Sequence, residues 1–277
     1  MTSTMFPVED GAMPQDLSRR RLLVSTAATL ALAGVRSAIA ASAPALPALS
    51  EVFAGEPGPM KVVNYALYVP DRDKVDSSRA EHQAYADALR EHDRLVMGGP
   101  LLDDDGRPRG VLLVYDVVSK QQAETLAQGD PFVLQGAIAD YRLAEWVVTD
   151  SNVELLSAAL VTPDQRAPRE APHSSPDAHH VRTYVNYARY VSDRSHVERA
   201  RPAHESCART LEARGQLIVG GPFADGSGAL IVYRARSKAE AAALVREDPY
   251  HVEGVFETTA LSEWRLFGLN AGLIQSG

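Results

Sequence analysis

Cysteine is almost missing from this chain of 277 residues. The single thiol, Cys207, cannot form an intrachain disulfide, so no cross-link holds the fold together. An excess of positive charge is also missing, because 28 Lys and Arg stand against 36 Asp and Glu and give a formal net charge of −8. A nucleic-acid-binding surface needs clustered cations, so nucleic acid is not expected as a partner.

Several motifs of catalytic and cofactor sites are missing too. The sequence contains no G-x-S-x-G, no C-x-x-C and no nucleotide-binding glycine pattern. His173, His179 and His180 lie near one another, but no cysteine or carboxylate stands beside them at zinc-ligand spacing. We therefore expect neither a metal ion nor an organic cofactor.

The chain also lacks a long apolar run. Residues 22–35 are only weakly apolar and fall short of the about 20 residues that span a bilayer. Three arginines at 19–21 precede this run and a small-x-small triplet at 38–40 follows it, which is the pattern of a cleaved export signal. Paired arginines before a modest apolar run resemble a twin-arginine signal. We predict a signal peptide at 1–40, a flexible connector at 41–60 and a mature protein that is periplasmic or secreted and has no membrane span.

What the chain does contain is an internal repeat. The heptapeptide Val-Asn-Tyr-Ala-Arg-Tyr-Val at 185–191 nearly matches Val-Asn-Tyr-Ala-Leu-Tyr-Val at 63–69. Further shared motifs follow in the same order, namely Gly-Gly-Pro at 98–100 and 220–222, Asp-Pro-aromatic at 130–132 and 248–250, and Glu-Trp at 145–146 and 263–264. This self-similarity predicts two modules of one kind, at 61–149 and 181–269, joined by a linker at 150–180.

Each copy predicts the element order β-α-β-β-α-β of a ferredoxin-like module. A helix over 75–94 is indicated by a stripe at His82, Tyr85, Ala86 and Leu89, spaced as one face of a helix. Two helices on one face leave the other face of each sheet uncovered, and that face must be buried. We predict an α+β fold in which the two modules pack sheet to sheet within one chain as an intrachain dimeric barrel. Further association into a homo-oligomer is left open.

His82 and His204 are the first candidate site residues, because both copies place a histidine in the apolar stripe of their first helix. A partly desolvated imidazole in this position can act as a general base. The alternative is a core histidine whose ring nitrogens are satisfied by the surrounding protein.

Asp130 and Asp248 are the second candidates. An Asp followed by Pro is typical of a helix N-cap before the first helical residue. Capping alone would explain these carboxylates, but each could also reach the histidine of its own module and orient it.

Arg79 and Arg201 stand three residues before the histidines, hence one helical turn away. They could contact an anionic substrate or pair with a neighbouring acid. Gly99 and Gly221 belong to the Gly-Gly-Pro motif and indicate a strand bulge or a close approach of backbone or ligand. We retain them as candidate substrate-binding positions.

Together these motifs resemble the YciI-like (YCII-related) family of the dimeric α+β barrel superfamily. The residues that carry the resemblance are R-x-x-H in the first helix, Gly-Gly-Pro after the second strand and Asp-Pro-Phe/Tyr in the second helix, once in each copy. The resemblance implies paired ferredoxin-like modules and a site built from His82 with Asp130 and His204 with Asp248. It also implies small-molecule chemistry without a metal or an organic cofactor.

The resemblance leads to two hypotheses for function. One is an exported lyase or isomerase of small cyclic or aromatic compounds, in which the histidines are general bases. The other is a non-catalytic module for ligand binding or assembly. The duplication within one chain and the export leader both depart from the usual family member.

Overall fold

The computed structural model describes residues 58–161 and 182–274. The predicted signal peptide, most of the connector and the later part of the linker, with its three histidines, lie outside these residues. The strands are β1 (Met60–Tyr68), β2 (Leu95–Leu102), β3 (Pro108–Val117), β4 (Ile138–Trp146), β5 (Asp150–Ser151), β6 (Arg182–Tyr190), β7 (Leu217–Pro222), β8 (Gly228–Ala235), β9 (Phe256–Trp264) and β10 (Gly268–Leu269). The helices are α1 (Arg72–Glu91), α2 (Lys120–Gln128), α3 (Pro131–Leu134), α4 (Val153–Ala159), α5 (Arg194–Ala213), α6 (Lys238–Glu247), α7 (Pro249–Val252) and a 3₁₀ turn at Ala271–Leu273.

The first helix of each module is set by local sequence signals. The Asp71 side chain accepts from the Lys74 N–H, so α1 begins three residues earlier than the periodicity predicts. The predicted stripe is buried, as expected. Gly215 follows α5 with φ +64°, the left-handed conformation in which many helices end, and the equivalent Asp93 has φ +55°.

The second helix of each module begins at a capping box. The Ser119 hydroxyl accepts from the Gln122 N–H at 3.1 Å, and the Ser237 hydroxyl accepts from the Glu240 N–H at 3.2 Å. The Gln122 and Glu240 side chains accept in turn from backbone N–H groups just before each helix. Both helices therefore begin where a local side chain satisfies the otherwise unpaired N–H groups of the first turn.

All of the described strands form one antiparallel ten-stranded sheet. Its order is β4-β1-β3-β2-β9-β6-β8-β7-β5, and β10 pairs with β2. Each module contributes four long strands in ferredoxin-like order, and β2 meets β9 across the seam between the modules. The second seam is closed by β5, which pairs with β7, and by a bridge between Trp146 and Phe223. The prediction of two ferredoxin-like modules packed as an α+β barrel within one chain is confirmed.

Residues 150–161 do more than link the modules. After β5, the Asn152 N–H donates to the Ile218 carbonyl, and α4 buries Leu156 in the barrel. The segment after β9 repeats this arrangement on the first module, where the Asn270 N–H donates to the Val96 carbonyl and Leu273 and Ile274 are buried. Each module is thus completed by the segment that follows the last long strand of the other module.

The barrel interior is filled by apolar side chains from both modules. Tyr65 and Tyr187, the equivalent tyrosines of the repeated heptapeptide, contact each other with ring centroids 4.9 Å apart. Equivalent residues touch in this way only near an approximate twofold axis. Two separate apolar layers lie outside the barrel, one between the strands and the helices of each module. They bury the apolar faces of α1 and α5.

In the described residues, no helix has both the length and the apolar character needed to cross a membrane.

Candidate active site

In the first module, His82 of α1 meets Asp130, which directly precedes α3. The imidazole Nδ1 lies 2.9 Å from Oδ1 and 3.0 Å from Oδ2 of the carboxylate. Both groups are largely buried, with 11% of the histidine side chain and 4% of the aspartate side chain exposed. The two side chains are held between α1 and the N-terminus of α3, so this packing fixes their relative position.

The second module has the same pair at the same place. His204 Nδ1 lies 2.7 Å from Asp248 Oδ1. Here 19% of the histidine side chain and 5% of the aspartate side chain are exposed. The structure therefore brings each predicted histidine together with the predicted aspartate of its own module.

The two alternatives for the aspartates hold at once. Asp130 accepts from the Phe132 N–H at 2.9 Å and Asp248 accepts from the Tyr250 N–H at 2.8 Å, so each caps the helix that begins at the following proline. Each carboxylate also contacts an imidazole. The catalytic roles of the four residues stay a prediction, while their proximity is a feature of the structure.

An aromatic ring covers each imidazole. Phe132 stacks on His82 with centroids 4.0 Å apart, and Tyr250 stacks on His204 with centroids 3.9 Å apart and an interplanar angle of 5°. Because the aspartate can only accept when it is ionised, the proton of a neutral imidazole lies on Nδ1. Among the described residues, neither Nε2 makes a hydrogen bond or is fully buried. Each Nε2 is thus a lone-pair nitrogen that reaches solvent.

Two tyrosines border the pairs. Tyr68 packs edge-on against Phe132, and Tyr190 packs edge-on against Tyr250. Burial raises the pKa of Tyr68 and of Tyr190 well above the usual value for a phenol. Burial likewise raises the pKa of Tyr250. These phenols stay protonated near neutral pH, so the imidazole is the better candidate for a base.

The structure places the two candidate arginines at the surface. Arg79 donates to Asp76 at 2.6 Å and Arg201 donates to Glu198 at 2.7 Å, in both cases within the same helix. Each side chain is 45% exposed. The alternative of pairing with a neighbouring acid is thus what the structure shows, and contact with an anionic substrate stays a prediction.

Gly99 and Gly221 lie at the seam between the modules. A Cβ on Gly99 would stand 1.8 Å from the Arg265 carbonyl oxygen, and one on Gly221 would stand 1.9 Å from the Val147 carbonyl oxygen. The expected close approach is therefore made by the backbone of the other module. The expectation of a bulge at these glycines is wrong, because the register shifts lie earlier in the strands, between Leu95 and Met97 and between Leu217 and Val219.

The two tryptophans of the Glu-Trp motif complete the seam, a role that sequence reasoning missed. The Trp264 indole N–H donates to the Gly99 carbonyl at 3.1 Å, and the Trp146 indole N–H donates to the Gly221 carbonyl at 2.9 Å. The recurrence of Gly-Gly-Pro and Glu-Trp in both copies was the available signal. It did not reveal that each motif meets the other one across the modules.

The rims of the two sites differ, and this difference was also missed. In the first module the Gln135 amide, after α3, donates to Glu81 of α1, and its oxygen lies 2.8 Å from the Ser78 hydroxyl. The equivalent residues of the second module are Glu253, Ala203 and Ala200. There a groove with a volume of about 400 Å³ lies between α5 and α7. It is lined by Arg199, Ala200, Ala203, Glu247, Pro249, Val252 and Glu253, and neither His204 nor Asp248 lines it.

Within residues 58–161 and 182–274, no group of three or more His, Cys, Asp or Glu side chains is arranged to hold a metal ion. The expectation of a site without a metal or an organic cofactor stays a prediction.

Comparison with known proteins gives a family match for most of the described chain. The family model of the YCII-related domain matches twice, at residues 60–147 and 183–265. Among the curated proteins, no sequence matches this chain significantly.

Solved structures of several kinds are similar to the chain. A 5-chloro-2-hydroxyhydroquinone dehydrochlorinase from Burkholderia phenoliruptrix is 25% identical, covering 32% of this chain and 94% of its own, with a TM-score of 0.29. A chlorite dismutase from Candidatus Nitrospira defluvii is 11% identical over 82% of this chain and 98% of its own, with a TM-score of 0.44. A heme-binding protein from Thermus thermophilus is 13% identical over 80% of this chain and 98% of its own, with a TM-score of 0.42. These distant likenesses transfer no ligand or activity to this chain.

Proposed function

This chain belongs to the YCII-related family, with two copies of the domain in tandem, and from that premise we propose that it is a cofactor-independent lyase or isomerase of small cyclic or aromatic compounds. In this proposal an imidazole is the general base of each site. The observation that carries the proposal is the His–Asp contact in both modules, at 2.9 Å and 2.7 Å, with no described residue hydrogen-bonded to either Nε2.

The chemistry follows from the tautomer. A carboxylate that accepts from Nδ1–H directs the basic lone pair of Nε2 toward solvent and stabilises the imidazolium that forms when Nε2 takes a proton. Removing a proton next to a carbonyl or a leaving group is the first step of many eliminations and isomerisations. The imidazolium can then return its proton to another atom of the substrate as a general acid. The aromatic ring stacked on each imidazole keeps one of its faces dry.

The experiment uses small hydroxylated aromatic compounds and lactones as trial substrates, followed by absorbance and product analysis. Replacing both His82 and His204 by Ala is expected to abolish turnover, because a positioned general base contributes about 10²–10⁴-fold in rate. His251→Ala is the matched control, since this histidine is exposed in α7. Unchanged turnover in a folded double variant would rule out the imidazoles as bases.

A second candidate function is ligand binding or assembly without catalysis. It is favoured by the capping role of Asp130 and Asp248, because a carboxylate that holds a helix N-terminus has a structural reason to be present. A binding module would show ligand-induced stabilisation without product, by roughly 2.7 kcal/mol at a ligand concentration of 100 times the dissociation constant. Product formation that depends on the histidines would exclude it.

We also propose that the chain is exported by the twin-arginine route. The support is the sequence pattern at 19–40, with its arginines, modest apolar run and small-residue triplet. Fusing residues 1–45 to a reporter tests this proposal. We expect the reporter to be exported, and we expect export to be lost when Arg20 and Arg21 are replaced by Lys. A reporter with the native sequence that stays in the cytoplasm would refute the proposal.

A further inference from the structure

The two His–Asp sites differ at their rims, and the difference lies at three equivalent positions. Ser78, Glu81 and Gln135 of the first module correspond to Ala200, Ala203 and Glu253 of the second. The first two positions of each set lie on the first helix, and the third follows the short helix that the aspartate caps. Each set therefore spans the gap between the two elements that hold the His–Asp pair.

In the first module this gap is bridged by side chains. The Gln135 amide donates to the Glu81 carboxylate, and its carbonyl oxygen lies 2.8 Å from the Ser78 hydroxyl. Ser78 is fully buried and so anchors the bridge to α1. We call this set of three residues the bridge.

In the second module alanines cannot form such contacts, and a glutamate replaces the amide. The resulting groove, of about 400 Å³, lies within the range of about 300–1,000 Å³ that small-molecule sites occupy. Ala203 directly precedes His204, Ala200 lies one helical turn before it, and Pro249 directly follows Asp248. The groove lining therefore includes sequence neighbours of both members of the pair, although neither His204 nor Asp248 lines it.

The exposure of the imidazoles agrees with this difference. The His204 side chain is 19% exposed, whereas the His82 side chain is 11% exposed. The groove is lined by the small apolar side chains of Ala200 and Ala203 and by the charged groups of Arg199, Glu247 and Glu253. A compact molecule with an apolar face and polar groups at its edge suits this lining.

We infer that the two sites are not equivalent: a small molecule reaches His204 more readily than His82, because the bridge narrows the approach to His82 and the described residues of the second module make no such bridge. Ala200, Ala203 and Glu253 are then the residues that decide access. This inference rests on the proposed function in one respect, namely that the imidazoles are the groups that contact the ligand.

The test measures access to each imidazole without relying on turnover. Diethyl pyrocarbonate acylates an unprotonated imidazole nitrogen, and peptide mass spectrometry gives the rate for each histidine separately. In the native protein His204 is expected to react faster than His82, with exposed His92 as an internal reference.

Exchanging the rims is the decisive step. An opened variant carries Ser78→Ala, Glu81→Ala and Gln135→Glu, and a closed variant carries Ala200→Ser, Ala203→Glu and Glu253→Gln. The opened variant should raise the acylation rate of His82 by about tenfold, because the hydrogen bonds of the bridge contribute a net free energy that corresponds to about this factor. The closed variant should lower the acylation rate of His204 by a similar factor. Each histidine is compared with itself, so differences in basicity between the sites cancel to first order.

The outcomes separate this inference from the proposed function. Equal native rates that neither exchange alters, in variants with native circular dichroism and unfolding transitions, would overturn the inference. If the exchanges act as expected but no variant turns over any substrate, the inference stands and the enzyme proposal fails. Should an exchange prevent folding, the single changes Gln135→Ala and Ala203→Glu provide the same comparison.

Discussion

The two modules share one plan and differ in what surrounds it. Both have the His–Asp pair, the aromatic ring on the imidazole and the glycine at the seam. At the rim of the site, however, the first module has a hydrogen-bonded bridge and the second a groove. Each of the two shared aspartates has two partners, a histidine and a backbone N–H, whereas the bridge joins side chains of the first module alone.

A second difference lies on the barrel-facing side of the first module's strands. Lys61 and Asp116 form an ion pair of 2.7 Å, with side chains 4% and 0% exposed. The equivalent residues of the second module are Thr183 and Arg234, and Arg234 is exposed. The same pair of sheet positions therefore carries a buried charge pair in one module and none in the other.

The largest expected effect tests whether the two imidazoles are equivalent. His204→Ala should reduce turnover of a substrate identified as above by about 10²–10⁴-fold, because it removes the accessible base. His82→Ala should leave most of the turnover in place. The measurement is kcat/KM for each single variant.

Two results would break this comparison. Equal losses in both single variants would mean that both sites work, and a larger loss in His82→Ala would reverse their assignment. His251→Ala, exposed in α7, controls for effects of replacing a histidine near the second site.

The next effect concerns the buried charge pair. Asp116→Ala should lower the free energy of unfolding by about 3–5 kcal/mol, because the Lys61 ammonium stays buried without this carboxylate. Urea unfolding followed by circular dichroism measures the change. Arg234→Ala, at the equivalent exposed position, should change the stability by under about 0.5 kcal/mol. Similar losses in both variants would mean that the ion pair does not distinguish the modules.

The seam should respond alike in both modules. Gly99→Ala and Gly221→Ala should each lower the free energy of unfolding by about 1–3 kcal/mol, because the new methyl overlaps a carbonyl of the other module. Gly220→Ala is the control, since its Cβ would meet nothing nearer than 3.6 Å. Thermal unfolding in parallel ranks the three variants, and a tolerated Gly99→Ala would contradict the seam geometry.

The smallest effect compares Tyr85 with Cys207, which are equivalent positions. Tyr85 donates from its hydroxyl to the Leu126 carbonyl at 2.8 Å, so Tyr85→Phe should cost about 0.5–1.5 kcal/mol of unfolding free energy. Cys207→Ala should cost less, because this thiol is only partly buried and belongs to the edge of the apolar layer. A greater loss at Cys207 would show that the thiol has a packing role that its position does not reveal.

Much of the fold could be predicted because its signals are local. The stripe through His82 and Leu89 recurs at helical spacing, and Ser119 and Ser237 cap their helices through groups only three residues away. The Asp-Pro motif likewise predicted a cap that the structure contains. The His82–Asp130 contact joins residues 48 apart in sequence, so its proposal needed the repeat and the family resemblance as well.

The contacts of the seam glycines and of the residues at the edges of the two sites could not be predicted from local signals. Gly99 looked like a ligand or bulge position, but its neighbour is the backbone of Arg265 in the other module. Gln135 and Ser78 looked unremarkable because the bridge joins residues 57 apart that differ between the copies. A repeat shows what two modules share, and it gives no signal for contacts made at positions where they differ.

The sequence by itself determined that two like modules exist, which elements each contains and which residues begin and end the helices, because backbone capping and helical periodicity act over a few residues. Only the tertiary structure decided how the modules close into one barrel, where the tryptophan indoles bond and which side chains bridge the edge of the first site. Those features depend on the distance between surfaces that are far apart along the chain, and short-range sequence patterns contain no measure of that distance.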